Sequence, residues 1–339
     1  MGKLFVIFGA TGQQGGALID FIQSHAEFSK QFRLRAVTRD TSKPSSEALK
    51  KKGVEVVQAN LDDPSTLDAA VKGAYAIFAV TDCELQESER KGKKDADIST
   101  VWATGSAEAE IVQGKAVADA GLAAGTHLYI WSSLPHVTKM TAGEVTNVHH
   151  FDSKAEVELY VRDLSFPSCV FFTPGSYMQN VWNTMLPQMK LDSDGQVIYP
   201  FAWPPEMPVP LIDITDTGKY LAPVLRDPAK YHGQRITAAT AYYSAQSIVD
   251  TWTKVSGKPV RLLKEEEVDG FAQSELQKGF MRPSLLQSKY LYFGLKGPED
   301  LKWTHAQLDR NDPLTTWEEF LVRGGPWFTN LSGEEGVGN

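Results

Sequence analysis

Three glycines, Gly9, Gly12 and Gly15, carry the first sign of chemistry in this chain. They stand in Gly9-Ala-Thr-Gly-Gln-Gln-Gly15. Before them runs the apolar Lys3-Leu-Phe-Val-Ile-Phe8, and after them Ala17-Leu-Ile-Asp-Phe-Ile22, which reads as a helix. Strand, glycine-rich turn and helix is the context in which such a turn binds a dinucleotide. Gly9 permits the tight turn, Gly12 lets the backbone approach a pyrophosphate, and Gly15 lets helix and strand pack closely. The free N–H groups and positive dipole end of the helix then hold the phosphate charge. A glycine-rich turn without a ligand has the same spacing, but the strand before it and the helix after it favour a nucleotide.

In a sheet of this kind the residue ending the second strand selects the nucleotide. An acid binds the ribose hydroxyls of NAD, and an Arg accommodates the 2′-phosphate of NADP. Here that strand ends Val37-Thr38-Arg39, with Lys43 shortly after, and the first acid, Asp40, comes one step late. Arg39 can grip a phosphate bidentately and stack on adenine. The expected cofactor is therefore NADP(H); the alternative leaves Arg39 as an ordinary surface residue.

The elements that would position these residues alternate. Strands are expected at 32–38, 54–59, 74–81, 127–133 and 168–173, with helices at 45–52, 64–72, 109–123 and 151–162 between them. Asp63 is the expected N-cap of the helix at 64–72, with Pro64 at its first position. Ala74-Tyr-Ala-Ile-Phe-Ala-Val-Thr81 is continuously apolar, as a strand covered on both faces must be. Such alternation gives a parallel, doubly wound sheet. From Tyr177 the texture changes to Trp, Met, Pro and Tyr, which suggests a smaller domain. Tyr177, Trp182, Tyr199 and Trp203 could wall an apolar ligand pocket or form that domain's core. Further helices are expected at 245–255, 268–279 and 316–322, with a short strand at 234–238. The fold class is α/β: a Rossmann doubly wound parallel sheet with a smaller α+β C-terminal substrate domain. The expected boundaries are 1–175 plus 211–240 for the first domain, 176–210 plus 241–330 for the second, and a disordered tail at 331–339.

Glu84 to Glu110 breaks the rhythm with a polar stretch, either a lid or a solvated insertion. The 339 residues carry a net charge of −8, which argues against nonspecific binding to DNA or to an anionic membrane. No apolar run approaches the ~20 residues that span a bilayer. Cys83 and Cys169 stand far apart, which fits a reducing compartment. The histidines and cysteines show no metal-ligand spacing, so no metal is expected. The expected location is cytoplasmic, with the nucleus also open.

Gly9–Gly15, Val37-Thr-Arg39, Gly73-Ala-Tyr-Ala-Ile-Phe78, His150-Phe-Asp-Ser-Lys154, Thr173-Pro-Gly-Ser-Tyr-Met-Gln-Asn180 and Asp213-Ile-Thr-Asp-Thr-Gly218 together resemble the NmrA-like family, an atypical branch of the short-chain dehydrogenase/reductases. The resemblance covers about residues 3 to 325. It implies a cofactor site lined by Gly9, Thr11, Gly12, Gln13, Gln14, Gly15, Arg39, Lys43, Asp62, Thr81, Lys154 and Thr173. Ordinary members of the wider group use a Ser after the fifth strand and a Tyr-x-x-x-Lys pair. Four residues is about one helical turn, so that pair shares a face. Here the Ser position is Ser132 or Ser133, Lys154 is in register, and His150 stands where the Tyr would be.

The catalytic candidates are thus Lys154, His150 and Ser133. Lys154 could hold the ribose and assist proton transfer, His150 could be the acid, or the site could be dead, with Lys154 kept for NADP(H) alone. The resemblance implies two functions. One is an NADPH-dependent oxidoreductase acting on a small organic, secondary-metabolite-like substrate, aromatic ones included. The other is a non-catalytic NADP(H) redox sensor or transcriptional regulator working through a protein partner. No direct nucleic-acid or membrane contact is expected. A homodimer and a regulatory partner are both left open.

Overall fold

The computed structural model describes residues 2–81, 105–146, 148–272, 275–329 and 331. Its first strand, β1 (Lys3–Ile7), is buried from its second residue on and ends at Gly9, whose φ of +65° turns the chain into helix α1 (Gln13–Ser24). The short α2 (Phe28–Gln31) leads into β2 (Phe32–Thr38), α3 (Pro44–Lys51) and β3 (Glu55–Gln58). A 3₁₀ turn at Pro64–Thr66 opens α4 (Leu67–Val71), and the Asp63 carboxylate caps it by accepting from the Ser65 N–H. Then follow β4 (Ala76–Ala79), α5 (Gly105–Ala123), β5 (Leu128–Ser132), the short α6 (Val137–Met140), α7 (His149–Arg162) and β6 (Ser168–Pro174).

The chain clusters into two compact units, and the first comprises 1–174, 214–238 and 298–312. It contains α8 (Thr217–Arg226) and β11 (Arg235–Ala238), which pairs with β6. Its sheet has seven strands in the order β11-β6-β5-β4-β1-β2-β3, every pair parallel. This is the expected doubly wound sheet. Strands 2 and 3 lie on one side of β1, and the chain crosses back to place β4 on the other. The connections therefore reverse between β1 and β4, and the crevice outside the carboxyl ends of those strands is where ligands bind in such sheets. One face of the sheet is covered by α4, α5 and α7, with Tyr129, Trp131, Val157 and Phe171 buried between. The other is covered by α1 and α8.

The second unit comprises 175–213, 239–297 and 313–339. Its strands are β7 (Ser176–Tyr177), β8 (Lys190–Leu191), β9 (Val197–Tyr199), β10 (Pro208–Ile212), β12 (Ala241–Ser244) and β13 (Val260–Leu262), in two three-stranded sheets ordered β12-β10-β7 and β13-β9-β8. Its core is aromatic: Trp203, Trp252, Trp317, Phe320 and Trp327 are buried together with Met178 and Met207. Residues 298–312, expected in the second domain, group with the first. The single helix expected at 268–279 is replaced by two, Val268–Phe271 and Glu275–Met281. Of the expected disordered tail at 331–339, residues 332–339 lie outside the described residues, as do residues 84–104 of the polar stretch. The rest of that stretch corrects the expectation, because Gly105 to Glu110 is already helix. A residue's position in a polar run says little about its burial once it joins a helix packed on a sheet.

Two neighbouring glycines of α1 differ sharply in what they permit. A β-carbon at Gly15 would sit 2.4 Å from the Gly9 carbonyl oxygen, a backbone atom that cannot move aside. At Gly16 the nearest atom would be 3.7 Å away. Gly15→Ala is expected to cost about 1–3 kcal/mol of stability by overpacking. Gly16→Ala is expected to be neutral, or to stabilise by roughly 0.5–1 kcal/mol through helix propensity. Denaturant unfolding of the two variants checks the contrast.

Candidate functional site

The glycine turn is built by backbone contacts. The Gly12 N–H donates to the Gly9 carbonyl (2.9 Å), which closes the turn, and Gly12 is the N-cap of α1. No side chain caps this helix and no acid stands in its first turn. Its N-terminal N–H groups and positive dipole end therefore meet no negative side chain of the helix itself, an arrangement suited to an anion. Gly9, Thr11, Gly12 and Gln13 are exposed, whereas Gln14 and Gly15 are buried against the turn. The predicted division of labour between Gly9, which turns, and Gly15, which packs, is visible in the φ of one and the close approach at the other.

At the end of β2, Arg39 and Lys43 are exposed. Asp40 is engaged locally: its Oδ1 accepts from the Ser42 N–H (2.8 Å) and from Ser42 Oγ (2.6 Å). These bonds, helped by Lys43, hold the Asp40 carboxyl below its ordinary range. The acid nearest the nucleotide-selecting position is thus committed to its own turn. After β3, Asp62 accepts from Gln113 Nε2 (2.7 Å), which ties this loop to α5. Leu61, Asp62, Pro64, Glu108, Ala109, Val112 and Gln113 line a shallow groove there.

The carboxyl end of β4 carries a buried polar cluster. Thr81 Oγ1 donates to Glu110 Oε1 (2.7 Å), Lys154 Nζ lies 2.5 Å from the same oxygen, and Ser153 Oγ donates to Glu110 Oε2. Glu110 is fully buried and Lys154 is 12% exposed. Trp131 Nε1 donates to the Lys154 carbonyl (2.9 Å), anchoring α7 to β5. On β6, Thr173 is buried, and its Oγ1 has no hydrogen-bond partner among the described residues. A buried hydroxyl without a partner costs free energy, which a hydrogen bond to a bound ligand would offset. This hydroxyl, the uncapped helix start and the glycine cradle all suit a dinucleotide.

Two catalytic candidates take other roles than expected. Ser133, fully buried, donates to Glu158 Oε2 (2.6 Å), and Glu158 Oε1 receives Arg162 (2.7 Å) and Arg235 (2.7 Å). The Ser133 hydroxyl thus belongs to a buried carboxylate network distinct from that of Lys154. His150 does not keep its ordinary basicity. Burial, then the Lys154 and His149 charges, push its pKa down to about 3. It packs edge-on to Phe151, and its surroundings favour the neutral imidazole. Among the aromatic candidates, Tyr199 and Trp203 are core residues of the second unit, not pocket walls. Trp182 stays 41% exposed and stacks on Trp327, and Tyr177 is half-buried.

Sequence reasoning missed Glu110, Ser153 and Glu158. Helical spacing carried the signal for the first: Glu110, Gln113, Gly114 and Val117 fall at i, i+3, i+4 and i+7, and all four are buried.

Comparison with known proteins agrees with this architecture. The sequence model of the NmrA-like family matches residues 1–321. An NmrA-like family domain-containing oxidoreductase of Penicillium ochrochloron is 25% identical over 276 residues, covering 76% of this chain and 75% of its own length. Among solved structures, the negative transcriptional regulator NmrA superposes with a TM-score of 0.73 at 21% identity, over 96% of both chains. An NADPH-dependent quinone oxidoreductase from Escherichia coli, solved with NADPH, gives 0.66 at 20% identity, over 94% of this chain and 99% of its own. With a match over nearly its whole length and a sheet of the corresponding order, the chain belongs to the NmrA-like family.

Proposed function

We propose that the chain is an NADPH-dependent oxidoreductase acting on a C=O, C=N or C=C bond of a small organic molecule. The observation that carries this reading is Lys154, nearly buried on α7 and held by Glu110 beside Thr81, at the end of the strand next to the glycine turn. The oxidoreductase names of fungal relatives and the NADPH bound to the quinone oxidoreductase support it.

NADPH, when bound, supplies the hydride. The chain's own residues bind and orient. The N–H groups at the start of α1, with Gly9, Thr11, Gly12, Gln13, Gln14 and Gly15, hold the pyrophosphate. Arg39 and Lys43 would take the 2′-phosphate, and Asp62 would line the cofactor. Thr81, Thr173 and Lys154 hold the nicotinamide end, with Lys154 carrying a proton at Nζ. His150 and Ser133 support this helix and strand; neither donates a proton. The net charge of −8 and the buried free thiol of Cys169 fit work in a reducing compartment, cytoplasm or nucleus, without contact to nucleic acid.

The neutral His150 favours one second reading, a redox sensor that binds NADP(H) and acts through a protein partner or a second copy of the chain. A panel of carbonyl, imine and enone compounds, scored by NADPH oxidation, separates the two. Turnover of any member supports the enzyme. Silence across the panel, with NADPH and NADP+ differing in their effect on oligomeric state, supports the sensor.

Three outcomes are expected. NADPH binds at least ~10-fold tighter than NADH, about 1.4 kcal/mol, because a charge-assisted phosphate contact supplies that much; Arg39→Asp reverses the order in a fluorescence titration, and equal affinities in the wild type refute the assignment. Lys154→Ala lowers turnover at saturating NADPH by ~10²-fold if Lys154 moves the proton, and affects only NADPH affinity if it merely grips. For His150 the sign is set by its depressed pKa: the unfolded chain binds a proton near pH 6.5 that the native state refuses until about pH 3. Its contribution to stability is full above that upper limit and is lost as pH falls through the window, by up to about 1.4 kcal/mol per pH unit. His150→Phe should flatten this decline in denaturant unfolding at pH 5 to 7.5 and leave turnover largely intact.

A further inference from the structure

We propose that Glu110 is the positioning residue for Lys154: it fixes the ammonium where the nicotinamide end of the cofactor lies, and acts on binding only through that lysine. The proposal rests on the reading of Lys154 as a cofactor contact.

The argument is one of burial and valence. Glu110 is fully buried on α5, and a buried carboxylate is tolerated only when paired and hydrogen-bonded. Its partners come from two other elements. Thr81 reaches it from the end of β4, and Ser153 and Lys154 from the first turns of α7. One oxygen takes Thr81 and Lys154 together, the other takes Ser153. A lysine side chain has four rotatable bonds and, left alone, samples many positions. Here the stem is enclosed and the ammonium is pinned at 2.5 Å to a carboxylate whose two oxygens are each held by a hydroxyl. Adjacent Ser153 and Lys154 meet both oxygens of one carboxylate, so any rotation of α7 would break both contacts at once. Preorganisation of this kind removes the entropic cost of ordering the lysine when the cofactor binds. Glu110 touches no reacting atom in this scheme.

The test is a double-mutant cycle on NADPH affinity, measured by fluorescence titration with the full chain. Lys154→Met is expected to weaken NADPH about tenfold and Glu110→Gln about three- to tenfold, while the double variant should be no weaker than Lys154→Met alone, since a residue acting through another loses its effect with it. A contribution through general fold integrity would instead multiply. A pH series adds a readout that a structural role would not move. Loss of the neighbouring negative charge disfavours the ammonium, so the alkaline rise of the NADPH Kd should begin at lower pH in Glu110→Gln than in the wild type. Thermal unfolding establishes that each variant is folded. If Glu110→Gln is not, Ser153→Ala, which removes one hydroxyl from the carboxylate, carries the test with an expected weakening of about two- to threefold.

Weakening by Lys154→Met with no effect of Glu110→Gln, or with multiplying effects, overturns the proposal alone. In the fallback, an unchanged Kd in Ser153→Ala does the same. An unchanged Kd in Lys154→Met overturns the reading of Lys154 and this proposal with it.

Discussion

The nucleotide-binding face depends on a backbone approach. The α-carbon of Gly15 lies so near the Gly9 carbonyl that no side-chain atom fits between them. That approach sets the first turn of α1 directly over the end of β1, and the remaining geometry of the nucleotide-binding face follows from it. A helix displaced by the width of a methyl group would aim its N-terminal N–H groups elsewhere and lose its seat on the central strand. The other contact that fixes α1 is of the same kind: at Gly218 on α8, a β-carbon would overlap the Phe21 ring, with 2.0 Å to its nearest atom. Small residues on both sides thus hold this helix by proximity instead of by polar bonds.

The opposite face of the sheet is held differently. There two buried carboxylates, Glu110 and Glu158, organise the polar groups between α5, α7 and the central strands. Glu158 gathers Ser133, Arg162 and Arg235, and so ties α7 to β5 and to the edge strand β11. Glu110 gathers Thr81, Ser153 and Lys154. Each is expensive to bury and tolerable only as a complete set. The two sets are distinct: one ties α7 to β5 and β11, and the other holds the Lys154 ammonium beside the end of β4. Charged networks of this sort define a single arrangement more sharply than they raise stability, since an apolar replacement of similar volume often does as well energetically.

Much of this was legible in the sequence where the physics is local. The second strand was expected at 32–38 and runs Phe32–Thr38, because alternating and apolar runs bounded by turns are read directly from residue type. The glycine roles were legible for the same reason: a positive φ and a close approach are demands on one residue. What escaped was set by partners distant in the chain. Glu110 looked like the end of a polar insertion because its partners, Thr81 and Lys154, lie 29 and 44 residues away. His150 looked like an available acid because its free-solution pKa suits one, and only its enclosure beside Lys154 reverses that. Tyr199 and Trp203 looked like pocket walls because composition cannot tell a lined cavity from a filled one.

Thr81 and Glu110 also stand at the two ends of one stretch of chain, and the hydrogen bond between them joins those ends. The cost of closing a loop rises only logarithmically with its length, by about 0.6 kcal/mol for each doubling. A change in the number of residues between two points joined in this way alters the entropy of closing them only slightly.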